Sequence, residues 1–355
     1  MGKVLHQLLT GATAGDAITD HAFLIRRWLR ELGFSSNMYA QHIHDSVADE
    51  VRPLAAFRPN HANNIVIYHH SIGSDVADIL LAQNVKLILI HHNITPPHFF
   101  TNIDPAWVQM MDLGQKQLVA IRPNTILGLA VSAYNELELQ KVGYTQTAVL
   151  PITINKQELD LPINEELAAE LEEKRPYFLF VGRLSPNKKQ EDLVKLLCFY
   201  RRIQPNAHLI LVGNRWTVKY DLWVEKIAAE LGLTNAVTLT DKVSQQDMIT
   251  YYQQAALYVS MSEHEGFGKP FIESMYFDLP ILAYGTTSIP YTLGNAGVQF
   301  LKKDYERLAE LADILITDPA LRTRIIYRQQ ARMTVFEEAT VRQILLHWLT
   351  KLNIL

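Results

Sequence analysis

Two carboxylates, Glu265 and Glu273, stand eight positions apart around Gly266-Phe267-Gly268 in the segment Ser262–Glu273. The run Leu257–Ser260 before them reads as a buried strand, and the residues after them as a helix opening near Gly268. A glycine turn feeding a helix N-terminus presents backbone N–H groups and the positive end of the helix dipole, a combination that suits an anion. Glu265 falls in the turn, and Glu273 about two turns into the helix. One acid can then address a sugar and the other a ribose on the same ligand, the arrangement of a nucleotide-sugar site.

A second constellation lies upstream. Tyr177–Val181 is a short apolar strand bounded by Pro176 and Gly182. Arg183 follows it directly, and Lys188 comes five residues later as a helix opens around Gln190. Two cations converging at the carboxyl end of a parallel strand suit a diphosphate. The plainer reading is a pair of solvated surface cations.

Taken together, Glu-x7-Glu and the strand-Gly-Arg…Lys-helix order resemble glycosyltransferase family 4, the retaining, glycogen-synthase-like group 1 glycosyltransferases. The likeness is specific over residues 177–300 and holds only in outline before them. It implies an α/β protein of the GT-B fold: two Rossmann-like doubly wound domains facing across a cleft, with a C-terminal helix crossing back to the first. The implied boundaries are 1–152 plus a crossover helix at 336–355 for the acceptor domain, and 153–335 for the nucleotide-sugar domain.

By that resemblance Arg183 and Lys188 hold the diphosphate, helped by backbone groups of Gly266, Phe267 and Gly268. Glu273 takes the ribose, Glu265 holds sugar hydroxyls beside the reacting carbon, and the base sits near Val243. His92 faces the donor sugar, with His91 as the alternative in register. The implied reaction moves a hexose, with retention, from a UDP- or GDP-sugar to a saccharide or lipid-linked acceptor in bacterial-type polysaccharide or O-antigen biosynthesis. No metal or cofactor is expected, because the cations take a metal's place and no Asp-x-Asp motif is present. Two other readings stay open: a catalytically silent nucleotide-sugar-binding subunit and a same-fold epimerase.

The elements that must position these groups alternate strand and helix throughout. In the first half, Val4–Leu9, Ile65–Tyr68, Lys86–Ile90 and Ile126–Val131 read as strands, and Asp20–Leu32 as the clearest helix. In the second, strands at Tyr177–Val181, His208–Val212, Val237–Leu239, Leu257–Ser260 and Pro280–Ala283 alternate with helices near Gln190, Tyr220, Gln245 and Gly268. Such alternation predicts parallel sheets covered by helices. Val341, Ile344, Leu345, Trp348, Leu349 and Leu352 form one apolar stripe on a terminal helix.

Gly11 and Gly15 in the loop after the first strand lack dinucleotide-fingerprint spacing, which disfavours a nicotinamide enzyme. The resemblance implies instead that this loop, with Gly11 and Gly15, borders the cleft close to the donor phosphate and the acceptor. Asp16 is either an acceptor contact or a helix cap. Thirteen histidines are present, and His69-His70 and His91-His92 fall at strand carboxyl ends, where ligands of open α/β sheets bind. His70 and His91 are placed on the acceptor side, and zinc is disfavoured. Arg26, Arg27 and Arg30 gather on one arc of the first helix, either a solvated face or a contact for an anionic membrane or lipid diphosphate.

The 355 residues allow about two domains. A net charge of -4 argues against a nucleic-acid binder. One cysteine excludes a disulfide framework and fits a reducing compartment. The start Met1-Gly2-Lys3 shows neither a signal peptide nor a myristoylation pattern, and no apolar run is long enough to span a bilayer. The expectation is a cytoplasmic protein, with peripheral contact at the inner membrane face open.

Overall fold

A computed structural model describes residues 3–59 and 64–355, so the Met1-Gly2 start lies outside the described residues. The chain divides into two compact units, Met1–Thr153 with Glu338–Leu355, and Ile154–Glu337. Each is built on an all-parallel sheet.

The first unit runs β1 (His6–Ala12), α1 (Ala17–Glu31), β2 (Met38–Ile43), β3 (Val51–Pro53), β4 (Ile65–His70), α2 (Asp75–Ala82), β5 (Lys86–His91), α3 (Pro105–Ala120), β6 (Thr125–Ala130), α4 (Ala133–Val142) and β7 (Thr147–Val149). The spatial order β3-β2-β1-β4-β5-β6-β7 reverses direction between β1 and β4. Strands buried on both faces need continuous apolar runs, and Leu87–Ile90 supplies one at 0 to 1% exposure. Gly11 lies inside β1, not in the loop after it, because parallel pairing with β2 continues through Gly11↔His42 and Ala12↔Ile43. The short strands β2, β3 and β7 escape the sequence reading, since three to six residues with interspersed polar groups carry little periodicity.

The second unit runs α5 (Lys156–Leu159), α6 (Glu165–Glu172), β8 (Tyr177–Val181), α7 (Gln190–Tyr200), β9 (His208–Val212), α8 (Val218–Glu230), β10 (Val237–Leu239), α9 (Gln245–Gln254), β11 (Leu257–Ser260), α10 (Lys269–Tyr276), β12 (Ile281–Tyr284), α11 (Ile289–Leu293), β13 (Val298–Phe300), α12 (Tyr305–Thr317) and α13 (Pro319–Met333). Its order is β10-β9-β8-β11-β12-β13, with the reversal between β8 and β11. Loops leaving the carboxyl ends of two strands that diverge at such a point open a crevice for ligands.

The terminal helix α14 (Glu338–Lys351) packs on the first unit. Its stripe buries Val341, Leu345 and Leu349. Glu338 anchors it, accepting from Arg27 at 2.5 Å and from Trp28 Nε1 at 2.8 Å, while Arg342 meets Glu31 at 2.9 Å.

Candidate active site

The turn after β8 is held from behind by several independent contacts. Gly213 is pressed so close to it that a Cβ there would stand 2.3 Å from the Gly182 carbonyl oxygen. Gly213 therefore has to be glycine, and its φ of 149° agrees. Leu184 N–H donates to Asn214 O at 3.0 Å. The buried Gln190 accepts from Ser185 N at 3.3 Å and donates to Arg183 O at 3.0 Å. Tyr220 on α8 holds Gln190 in turn, accepting from its backbone N at 3.0 Å and donating to Glu191 at 2.5 Å. The Arg183 guanidinium lies 5.0 Å over the Trp216 ring, a cation–π contact.

Asn187 joins this turn to the one after β11. Its side chain donates to His264 O at 3.0 Å, and its carbonyl accepts from Glu263 N at 2.8 Å. The result is a direct ion pair between Lys188 and Glu265, two groups the sequence had suggested for one ligand. Lys189, next in the chain, takes the left-handed φ of 56° and sits 3.6 Å from Glu263 and 3.7 Å from Glu191.

Around the glycine turn, Glu265 N–H donates to Thr287 Oγ1 at 3.0 Å, and the Phe267 carbonyl accepts from Thr292 Oγ1 at 2.6 Å. Phe267 is buried edge-on against Phe336. Gly268 is the N-cap of α10 at φ 87°, and a Cβ there would strike the Phe271 ring at 2.4 Å. The helix thus opens where the sequence places it. Glu273, however, is the fifth residue of α10, little more than one turn in, not two. One of its oxygens accepts from the buried Tyr252 hydroxyl at 2.7 Å, and the other lies 3.5 Å from Lys269 Nζ. Burial first, and the Glu273 charge second, push the Tyr252 phenol well above its usual range, so it stays a donor. Val243 lies half-buried on the loop following β10.

Asn187, Gln190, Trp216, Tyr220 and Tyr252 were not legible in the sequence. Most of their partners stand tens of residues away, where no local pattern operates.

In the first unit, Gly15 takes φ 80° in the turn before α1. Asp16 is the N-cap of α1, accepting from Ile18 N at 3.2 Å and Thr19 N at 3.1 Å. The histidines divide between the sheet faces. His69 and His92 stack at 5.2 Å on one, while His70 and His91 stack at 6.0 Å on the other. His92 and His91 are therefore not interchangeable. His91 Nε2 meets Glu138 at 3.4 Å, and burial lowers His70 to about 3. His21 on α1, absent from the sequence reading, faces the His69–His92 pair edge-on and is lowered by burial to about 4.

The arginines of α1 have intramolecular partners. Arg26 is buried against Glu50, Arg27 pairs with Glu338, and Arg30 donates to Ser36 O at 3.0 Å. Among the described residues no helix is long and apolar enough to cross a membrane, and no cluster of three or more His, Cys, Asp or Glu side chains could hold a metal ion.

Two doubly wound parallel units, with charged loops at the switch point of the second, define the GT-B class. Comparison with known proteins agrees. Residues 163–332 match the family model for glycosyl transferases group 1. The GDP-mannose:cellobiosyl-diphosphopolyprenol alpha-mannosyltransferase of Xanthomonas campestris is 36% identical over 106 residues, 30% of this chain and 28% of that enzyme. The O-antigen chain mannosyltransferase B of Escherichia coli is 31% identical over 127 residues, 34% of this chain and 32% of that protein. The chain thus spans about a third of the length of these curated relatives. Among solved structures, Anabaena HepE in complex with UDP and glucose superposes with a TM-score of 0.77 at 16% identity, covering 98% of this chain and 100% of that one. Sucrose-phosphate synthase from Thermosynechococcus elongatus gives 0.76 at 18% identity, covering 99% of each. The chain resembles the group 1 glycosyltransferases, in sequence over its second unit and in fold over its whole length.

Proposed function

We propose that this chain is a retaining glycosyltransferase that moves a hexose from a nucleoside diphosphate sugar to a saccharide or lipid-linked acceptor. The observation that carries the reading is the Lys188–Glu265 pair at the β8/β11 switch point, with Arg183 on the loop after β8 and Glu273 in α10, the helix that follows the β11 loop. Breaking the bond between an anomeric carbon and a diphosphate builds negative charge on the leaving phosphate. Preorganised cations stabilise that charge. Arg183, braced by Trp216 and Gln190, and Lys188 are the groups for it. Backbone N–H groups opening α10 add to the field.

Glu265 holds sugar hydroxyls beside the reacting carbon, and Glu273 takes the ribose. The reading takes the transfer to be retaining, which the resemblance supports, and to need no metal, which the two cations at the leaving phosphate support. The mannosyltransferase relatives make GDP-mannose the first donor to test, and the HepE complex makes UDP-glucose the second. An acceptor of the diphosphopolyprenol kind would bring the chain to the cytoplasmic face of a membrane.

A thermal-shift panel of UDP, GDP, ADP and CMP, each with the native chain and with Lys188→Ala, tests the donor site. A hundredfold excess over Kd stabilises the native state by about 2.7 kcal/mol. One nucleotide giving a Lys188-dependent shift is expected. No shift with any of the four would sink the reading.

A further inference from the structure

His69 and His92 meet at the carboxyl ends of β4 and β5, and the direction of their hydrogen bonds can be traced back to a backbone carbonyl. Gln7, fully buried on β1, donates its Nε2–H to Ala22 O at 2.9 Å. A carbonyl only accepts, so this bond fixes the amide; flipped, it would set oxygen against oxygen. Gln7 Oε1 then faces His69 Nε2 at 2.9 Å, and an amide oxygen also only accepts. His69 therefore carries its proton on Nε2. Its Nδ1 is a lone pair, directed at His92 Nε2 at 2.9 Å. Only His92 can supply the proton for that contact. The remaining nitrogen, His92 Nδ1, is consequently a lone pair. It is buried, in a residue 8% exposed, and finds no hydrogen-bond partner among the described residues.

We propose that Gln7 and His69 are positioning residues that hold His92 as a neutral Nε2–H imidazole, with Nδ1 offered as an acceptor to a ligand hydroxyl. The ligand half of this rests on the reading of His92 as facing the donor sugar. A buried lone pair selects an O–H donor, and the corresponding deoxy sugar would leave it unpaired.

The relay works only while both rings are neutral, because an imidazolium at His69 would set N–H against N–H. Burial lowers His69 and His92 well below the usual histidine range. The groups around the pair act in the same direction. His21 faces both rings from α1, and His70 and His91 add to the effect on His92. Glu138 of α4 meets His91, which stacks with His70 on the opposite sheet face.

The experiment is NMR of the full chain with ring-labelled histidines, assigned with His92→Gln, beside steady-state kinetics of Gln7→Glu. In the native chain His92 should be the Nε2–H tautomer from pH 7 to 8. Gln7→Glu places a carboxylate against His69 and draws a second proton onto that ring. His92 should then move to Nδ1–H as pH falls through the raised His69 titration, and kcat should fall about tenfold along the same pH profile. UDP or GDP affinity should stay as in the native chain. If Gln7→Glu does not fold, Gln7→Met removes the acceptor without adding charge, and a mixture of His92 tautomers is expected. An Nδ1–H His92 in the native chain overturns the proposal, as does a Gln7→Glu chain with an unshifted pH profile. The tautomer readout needs no turnover. A chain with the expected tautomers that transfers no sugar would refute the transferase reading and leave the relay standing.

Discussion

Lys188 and Glu265, 77 residues apart in the chain, form a direct ion pair across the two strands that diverge at the switch point of the second unit. Neither is fully solvated: the side chains are 22% and 10% exposed. A partly desolvated pair is worth more than a surface one, and each partner is left in a poor environment when the other is removed. In the proposed function, an arriving diphosphate would compete for Lys188, and Glu265, released from the pair, would be left to accept from sugar hydroxyls.

Lys188→Ala should lower turnover at least tenfold, since one charge-assisted contact to phosphate is worth about 1.5–3 kcal/mol. The check is kcat with a saturating donor. Unchanged turnover would remove Lys188 from the site.

If Glu273 takes the ribose as proposed, Glu273→Ala should raise the donor KM at least tenfold with a smaller effect on kcat, because such contacts are kept throughout the reaction. Tyr252→Phe should shift KM in the same direction by about three- to tenfold, the worth of a single hydrogen bond that orients the carboxylate. A Tyr252→Phe enzyme with native KM would mean that Glu273 holds its position without the phenol.

If Arg183 and Lys188 compensate the leaving phosphate as proposed, transfer should persist in excess EDTA. Initial rates measured with EDTA and after adding back Mg²⁺ decide the matter. Reversible loss of activity would show that the two cations are insufficient.

Stability should depend on pH through the buried histidines. Burial lowers His21 from 6.5 to about 4 and His70 to about 3. The unfolded chain takes up protons at these rings below pH 6.5, while the folded chain does not. Their contribution is thus fully present above pH 6.5 and is lost as pH falls through the window down to 4 for His21 and 3 for His70. Between pH 6.5 and 5 each ring should cost about 2 kcal/mol of unfolding free energy. Urea titrations of the native chain and of His21→Phe read this directly. The variant's slope should be shallower by about one proton, and equal slopes would show that His21 is protonated in the folded state.

Much of this protein is set by short-range information. The strand Tyr177–Val181, the cations Arg183 and Lys188 behind it and the glycine turn into α10 are legible because each depends on residues a few positions apart: apolar runs, a steric need for glycine at Gly268, and helix-end electrostatics. The alternation of strands and helices announces parallel sheets for the same reason. Strand order is different, since the reversals at β1/β4 and β8/β11 arise from pairing between segments tens of residues apart. Packing also decided which groups assist the site. Tyr252 on Glu273, Trp216 under Arg183 and Asn187 across the two turns are contacts between elements. The adjacent His91 and His92 show the limit most clearly: the sequence puts both at one strand end, and only the pleat of the sheet sends their side chains to opposite faces and gives His92 alone the Gln7–His69 chain.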